Sequence, residues 1–405
     1  MTHYPSGMPL RLLPLLLCLC MPLQAAPSLG QLIESALARQ PGGERAESQR
    51  AVALALRRKA EQPLADAPRA NVKYQTDLIG SDLGYREWEG GVELPLWLPG
   101  QADSFAREAA GHSRLSEALE AARRLEISGE VRERLWAAAI AYAEADQARA
   151  ARDSAQSLFE DVQRRVAAGE LPRSDRLLAE KEVLAREQSL TQALSRAAEA
   201  SLRFSRYAGA QPPADPAAET PAREEGWSAQ HPQLRLAHWQ VQRARAHRDR
   251  ISRTAQEGPS LWLGGKTTRA VAGGDYDSSL GVEISLPLGA GAYRAPDLAE
   301  AEQLLTEALV EEAHSTLALE DAVSMARHEL ERTQTALQQT QRQRTLSDQS
   351  LALSRRAFEL GETDLVRLLQ AQQDALSARY EHQLSRLRHA LAVARLNQAL
   401  GVVPR

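Results

Sequence analysis

The chain has 405 residues, with 49 Lys+Arg against 53 Asp+Glu and a formal net charge of −4. That balance excludes nucleic acid as the main partner, because phosphate binding draws on a basic excess. A hydrophobic content of 43% excludes global disorder, while 4% aromatics with only four Phe fits long Ala/Leu interfaces better than a conventional globular core.

Residues 1–25 read as a secretory signal peptide: Arg11, an apolar run from Leu12 to Leu23, then the small-residue site Gln24-Ala25-Ala26. The run is too short to span a bilayer as a helix, and Pro14 and Pro22 interrupt it. Both cysteines, Cys18 and Cys20, lie inside it. The mature chain therefore has no disulfide, thiolate metal site or cysteine nucleophile. Leu17 and Leu19 precede them where a lipoprotein signal wants a small residue. No other stretch approaches 18 consecutive apolar residues, so no transmembrane helix is expected in the mature chain.

The remaining sequence reads as one unit written twice. Gln40-Pro41 returns as His231-Pro232 and Pro68 as Pro259, each 191 residues on. Gly91-Val92-Glu93-Leu94 returns as Gly281-Val282-Glu283-Ile284, 190 residues on. Arg176-Leu177-Leu178 returns as Arg367-Leu368-Leu369, and Gly169 as Gly361. The expected units are 26–208 and 227–405. The Pro-rich stretch 209–226 between them reads as a linker or an irregular surface excursion.

Each unit opens on a helix, Ser28 to Gln62 and Trp227 to Gln256, the first with a capping box at Ser28 and Gln31. Two alternating runs follow. In the first, Val72, Tyr74, Thr76 and Leu78 face one way and Asn71, Lys73, Gln75 and Asp77 the other. In its return run, Trp88, Val92, Leu94 and Leu96 oppose Glu87, Glu89 and Glu93. The second unit gives Leu261, Leu263 and Thr267, then Leu280, Val282, Ile284 and Leu286 against Ser279, Gly281, Glu283 and Ser285. Such short runs with one apolar and one polar face are the signature of transmembrane β-barrel strands. Four strands cannot close a barrel around a lumen, so the chain must oligomerise if they cross a membrane: two chains give eight strands, three give twelve. The competing reading is two soluble hairpins at the ends of helix bundles.

A long helix comes next in each unit, then a glycine turn and a last helix of nearly 40 residues. No proline falls between Gly100 and Leu171 or between Asp297 and Val403, and Pro296 is expected in a first helical turn. A helix from Asp103 to Ala167 is roughly 97 Å long and needs equally long partners. Ser28–Gln62 and Ser174–Tyr207, laid end to end, supply that length. In the second unit Leu319, Val323, Ala326, Leu330, Thr333, Leu337, Thr340, Arg344, Ser347, Leu351, Ser354 and Phe358 form a heptad seam. Its small residues suit helices with neighbours on both flanks, as in a closed ring. The fold class expected is mainly α with a small β part: a long-helix α-barrel or coiled-coil tunnel with four β-strands per protomer.

Catalytic constellations are lacking. Lys266 after Gly264-Gly265 misses the upstream glycine of a phosphate loop, and Gly289 and Gly291 lack the third glycine of a dinucleotide fingerprint. His328-Glu329 has no second histidine four residues on. His382 and His389 share a helix face, where solvated or tunnel-facing histidines are expected rather than a metal pair. No enzyme, cofactor or resident metal is expected.

This duplicated order behind a signal peptide resembles the TolC-like outer membrane efflux family over essentially the whole mature chain. The residues that carry the resemblance are Ala36, Leu37, Gln40 and Pro41 with the echo His231-Pro232. Leu94-Pro95-Leu96 and Leu286-Pro287-Leu288 end the Gly-Val-Glu strands. The glycine turns Ala168–Leu171 and Leu360–Thr363 are each followed by a Leu-Leu pair. The modest length and short linker look most like the heavy-metal branch typified by CzcC. The resemblance implies a homotrimer with a twelve-stranded barrel in outer membrane lipid and a helical tunnel about 100 Å long into the periplasm. It implies docking on a periplasmic adaptor and an inner-membrane transporter. Lys73, Asp77, Glu87, Glu89, Glu93 and Glu283 then line the barrel, an acidic wall that threefold symmetry multiplies into rings. Gly169, Glu170, Asp175, Gly361, Glu362, Asp364, Arg367 and Gln370 sit at the periplasmic tips and gate. The best-known members carry two aspartates one turn apart after the second tip glycine. This chain holds Arg367 and Gln370 there, leaving Glu362 and Asp364 as the nearby acid. The rival readings are a periplasmic adaptor, disfavoured because its helical hairpin is not duplicated, and a soluble coiled-coil scaffold, which has no need of alternating strands.

Overall fold

The computed structural model describes residues 27–404 apart from 224, 256, 257 and 290. The expected signal peptide lies outside the described residues, as does Gln256, the expected end of the second unit's first helix. The element order is α1 (Leu29–Arg39), α2 (Glu44–Ala60), β1 (Arg69–Thr76), β2 (Arg86–Pro95), α3 (Gln101–Ala167) and α4 (Arg173–Ala208). It continues as α5 (Trp227–Gln230), α6 (Pro232–Thr254), β3 (Ser260–Arg269), β4 (Asp277–Ser285), α7 (Gly291–Glu359) and α8 (Leu365–Ala399). No helix among the described residues is long and apolar enough to cross a membrane.

The first helix of each unit is broken, where a continuous one was expected. Pro41 cannot continue the α1 ladder, and Gly42 at φ 118° turns the chain before α2 restarts. In the second unit His231 takes an extended conformation and caps α6, with Pro232 at the first helical position. The capping box of α1 forms as expected: the Ser28 amide donates to Gln31 Oε1 at 2.9 Å and the Gln31 amide to Ser28 Oγ at 3.2 Å. Pro296 lies inside α7 rather than in its first turn, because the helix already starts at Gly291, just past Gly289 at φ 78°.

The long helices set the shape. At 1.5 Å per residue, α3 (67 residues) and α7 (69 residues) are each about 100 Å long. Their partners are half-length: α3 packs on α2 and α4, and α7 packs on α6 and α8. The halves join because α3 also packs on α6 and α8. Apart from Arg344, every residue of the α7 seam is buried or half-buried.

These positions differ in what they leave open. Packed from both halves, α3 buries residues along most of its length, whereas few residues of α7 are buried. Val310, Leu317, Met325, Leu346 and Leu353 of α7 stay exposed, as do Leu177, Leu184 and Leu202 of α4 on the other flank.

One four-stranded antiparallel sheet of order β1-β2-β3-β4 caps the helices. The two hairpins are joined by β2–β3 pairing, with Glu89 opposite Lys266 and Glu93 opposite Trp262. Among the described residues, β1 and β4 each pair on one side only.

Candidate functional site

The sheet has two chemically opposite faces. On one, Val72, Tyr74, Trp88, Val92, Leu263, Leu280, Val282 and Ile284 are all exposed, Leu280 at 94% and Val72 at 77%. Tyr74 and Trp88, opposite each other across β1–β2, stack with ring centroids 4.4 Å apart. So much bare apolar surface on strands is a lipid-facing or partner-facing surface rather than a solvated one.

Alternation puts the other parity on the opposite face, and the register sorts it into rows. Nearest the turns, Gln75, Glu87 and Thr268 stand side by side, then Lys73, Glu89, Lys266 and Ser279. A row of Asn71, Gly91, Gly264 and Gly281 follows, and nearest the helices Arg69, Glu93, Trp262 and Glu283. Five of the six residues expected to line a barrel therefore share this face: Lys73, Glu87, Glu89, Glu93 and Glu283. Asp77 does not, because β1 ends at Thr76. It organises the β1–β2 turn instead, accepting from the Ser81 hydroxyl and the Leu83 amide, both at 2.8 Å.

The acidic wall is partly neutralised. Glu87, buried at 3% exposure, accepts from the Tyr85 hydroxyl and pairs with Lys266 Nζ at 2.6 Å and Lys73 Nζ at 3.7 Å. Lys73 also reaches Glu89 at 3.8 Å. Lys266, which misses the phosphate-loop pattern, joins the charged face instead, in parity with Ser260 and Trp262. Glu93 and Glu283 have no ion pair among the described residues.

At the opposite end of the molecule, Gly169 (φ 81°) and Gly361 (φ 75°) make the two tip turns. Glu170 N donates to Arg165 O and Glu362 N to Ala357 O, both at 2.9 Å, closing each preceding helix in the same way. Asp364 is the N-cap of α8 and accepts from the Arg367 amide at 2.9 Å. Asp175 lies in the first turn of α4, while Arg367 and Gln370 are exposed. Phe358, Leu365 and Leu368 pack with Leu158, Val162 and Ala179, so the two tips form one cluster.

Two buried polar nodes escaped the sequence reading. Glu108 of α3, at 3% exposure, accepts from Arg250 Nε and from His247 Nδ1 at 2.8 Å, both on α6. Its neighbour His112 is 2.6 Å from Gln49 Oε1 of α2. Burial alone raises the Glu108 pKa; bonds from His112, His247 and Arg250, with the Arg250 charge, override it and hold the carboxyl well below its usual range.

The second node is Arg132 of α3, 1% exposed. Its guanidinium bonds Glu219 at 2.8 and 2.7 Å, Ser128 Oγ at 2.8 Å, Gln398 Oε1 at 2.6 Å and Val402 O at 3.1 Å. Asn397 adds bonds to Glu219, Thr220 O and the Ala222 amide. This node ties the stretch 209–226 to α3 and α8 through Glu219, Thr220 and Ala222. His382 and His389 do not meet: His389 Nδ1 is 3.3 Å from Thr333 Oγ1, and burial pushes the His382 pKa down, as do Arg344 and Arg386. No group of His, Cys, Asp or Glu able to hold a metal occurs among the described residues.

No curated protein sequence matches the chain. The family model described as "Outer membrane efflux protein" matches residues 227–402. The outer membrane protein VceC from Vibrio cholerae is similar at 19% identity with a TM-score of 0.70, over 92% of this chain and 96% of that one. CusC, described by conformational changes accompanying folding and transmembrane channel formation, is similar at 16% identity with a TM-score of 0.72, over 93% and 92%. The open state of the MtrE outer membrane channel from Neisseria gonorrhoeae is similar at 20% identity with a TM-score of 0.63, over 93% and 89%. The family model lies on the second half of the chain and the channel fold extends over both halves, so the chain has the fold of the outer membrane efflux channels.

Proposed function

We infer that the protein is a passive export duct built from three copies of a duplicated unit, 26–208 and 227–405 joined by 209–226, made behind a cleaved signal peptide. The observation that carries this is the sheet: one bare apolar face, one charged face, and two edges with a partner on one side only. Three such sheets joined edge to edge give a twelve-stranded barrel whose apolar side meets lipid, which satisfies the edge groups that hydrocarbon leaves unpaired. The helices support the same closure. The exposed apolar flank of α7 meets the exposed flank of α4 in the next copy, so every long helix gains neighbours on both sides.

Cargo then passes along the rods and out through the charged wall of Lys73, Glu87, Glu89, Glu93 and Glu283. Gly169, Glu170, Asp175, Gly361, Glu362, Asp364, Arg367 and Gln370 sit at the periplasmic end, where an adaptor and an inner-membrane transporter dock and supply the energy. The duct does no covalent chemistry and needs no cofactor.

The test is membrane fractionation followed by native mass in detergent. Outer-membrane recovery at three times the protomer mass is expected. Recovery as a soluble periplasmic protein, or at any other stoichiometry in detergent, overturns the shared-barrel duct.

A further inference from the structure

Trp262 is the single aromatic side chain on the charged face of the sheet among the rows just described, and three glycines seat it. A Cβ on Gly91 would lie 2.5 Å from the indole, one on Gly264 2.2 Å from it, and one on Gly281 3.1 Å away. The ring therefore lies flat along the wall, over glycines from three adjacent strands, rather than projecting from it. Its other face looks onto a groove also lined by Glu93 and Glu283. These two carboxylates stand on either side of Trp262 in one row, and neither has a cation within 4 Å among the described residues. Lys73, at the far end of the groove, is engaged by Glu87 and Glu89. Arg69 stands opposite Glu93 in the register without an ion pair between them among the described residues.

We propose that Trp262, with Glu93 and Glu283, forms a station for organic ammonium cations on the lumen wall at the helix end of the barrel. The aromatic face attracts a weakly hydrated cation, and the flanking carboxylates hold its charge without closing on it. Metal ligation by the same residues is disfavoured by distance. Glu93 and Glu283 are two strands apart, about 9.5 Å, with the indole between them, whereas a metal needs ligands within about 2.0–2.6 Å. The station rests on the shared-barrel reading, which makes this face a lumen. It also belongs to the second unit alone, since Asn71 occupies the equivalent position 191 residues earlier.

The experiment is single-channel recording of the full-length mature protein in planar bilayers. Tetraethylammonium is added on the side of the strand turns, and heat-modifiable oligomer on gels confirms folding of every variant. Wild type is expected to show voltage-dependent block. Trp262→Leu should weaken that block, read as the ratio of blocked to open current in each variant's own channels, about 2- to 30-fold, while Trp262→Phe retains part of it. Glu93→Gln with Glu283→Gln should weaken it further. Absence of any conductance from folded oligomer overturns the duct reading and the station with it. Conductance whose block is absent, or is the same in wild type and Trp262→Leu, overturns the station alone. Block by zinc that survives Trp262→Leu and is lost in the double glutamine variant also overturns it, in favour of metal passage.

Discussion

Arg132→Met isolates the clamp that ties the stretch 209–226 to the long helix α3. In the native protein all five guanidinium N–H donors are used, two of them on Glu219. Methionine keeps the bulk but strands Glu219, whose side chain is 15% exposed, with only Asn397 among the described residues left to donate to it. Breaking a buried pair from one side costs about 3–5 kcal/mol. The partial access of Glu219 to water reduces that cost to about 2–3 kcal/mol. At ~1.4 kcal/mol per tenfold, the stretch 209–226 should open about 30–150 times more often. Arg223 within it is exposed and offers trypsin a site. Limited trypsinolysis, run where cleavage follows the open population, should split the variant into two roughly equal halves that much faster than wild type. Replacing both partners, Arg132→Met with Glu219→Leu, should recover much of the protection, because no buried charge is then left alone. Cleavage of Arg132→Met within about threefold of wild type would refute the clamp.

Three further outcomes are expected. Burial lowers the His231 pKa from its ordinary 6.5 against a bond to the Ala399 backbone, and His382 is lowered too, so both favour the neutral form. Their contribution is full above pH 6.5 and is lost as pH falls through the depressed values, whereas that of Glu108 is present above about 4.5 and persists into stronger acid. Thermal melts by circular dichroism should lose stability just below pH 6.5, and His231→Asn, which keeps a capping side chain, should flatten that loss. Gly84→Ala should cost about 1–3 kcal/mol in a denaturant titration: φ is 89° and the new Cβ meets the Ala272 amide at 2.6 Å, where the two strand turns join. Gly273→Ala, also at positive φ but in open space, should cost no more than about 1 kcal/mol. Gly264→Ala lifts the Trp262 indole from its seat and should lower single-channel conductance, while Gly265→Ala, whose Cβ meets only ordinary contacts, should not.

The legible parts of this fold are those written at short range. The proline-free spans and the heptad seam of α7 state helix length and packing face without reference to anything distant. Strand parity likewise separates Val72 and Val282 from Lys73 and Glu283. The breaks at Pro41 and Pro232 were also written locally, and reading through them gave one helix where there are two. The buried nodes were illegible for a different reason. Arg132, Glu219 and Gln398 come from three distant segments with no spacing rule between them. The Trp262 seat needed the β2–β3 register, which brings Gly91 beside Gly264 across 173 residues of chain. Asp77 shows the limit of parity itself: alternation assigned it a face, but the strand stops one residue short.

The one-sided edge strands bear on how damage to this protein is inherited. In the proposed trimer each β1 finds its outer partner only on a neighbour's β4, so no copy reaches lipid on its own merits. A copy whose β1 or β4 is disabled can still enter an assembly through its sound edge, and there it leaves two healthy copies with an unclosed ring. Lesions confined to either edge strand should therefore act dominantly when expressed beside wild type, and the penalty should grow with dose. A loss of the whole chain, which leaves nothing to join, should be recessive.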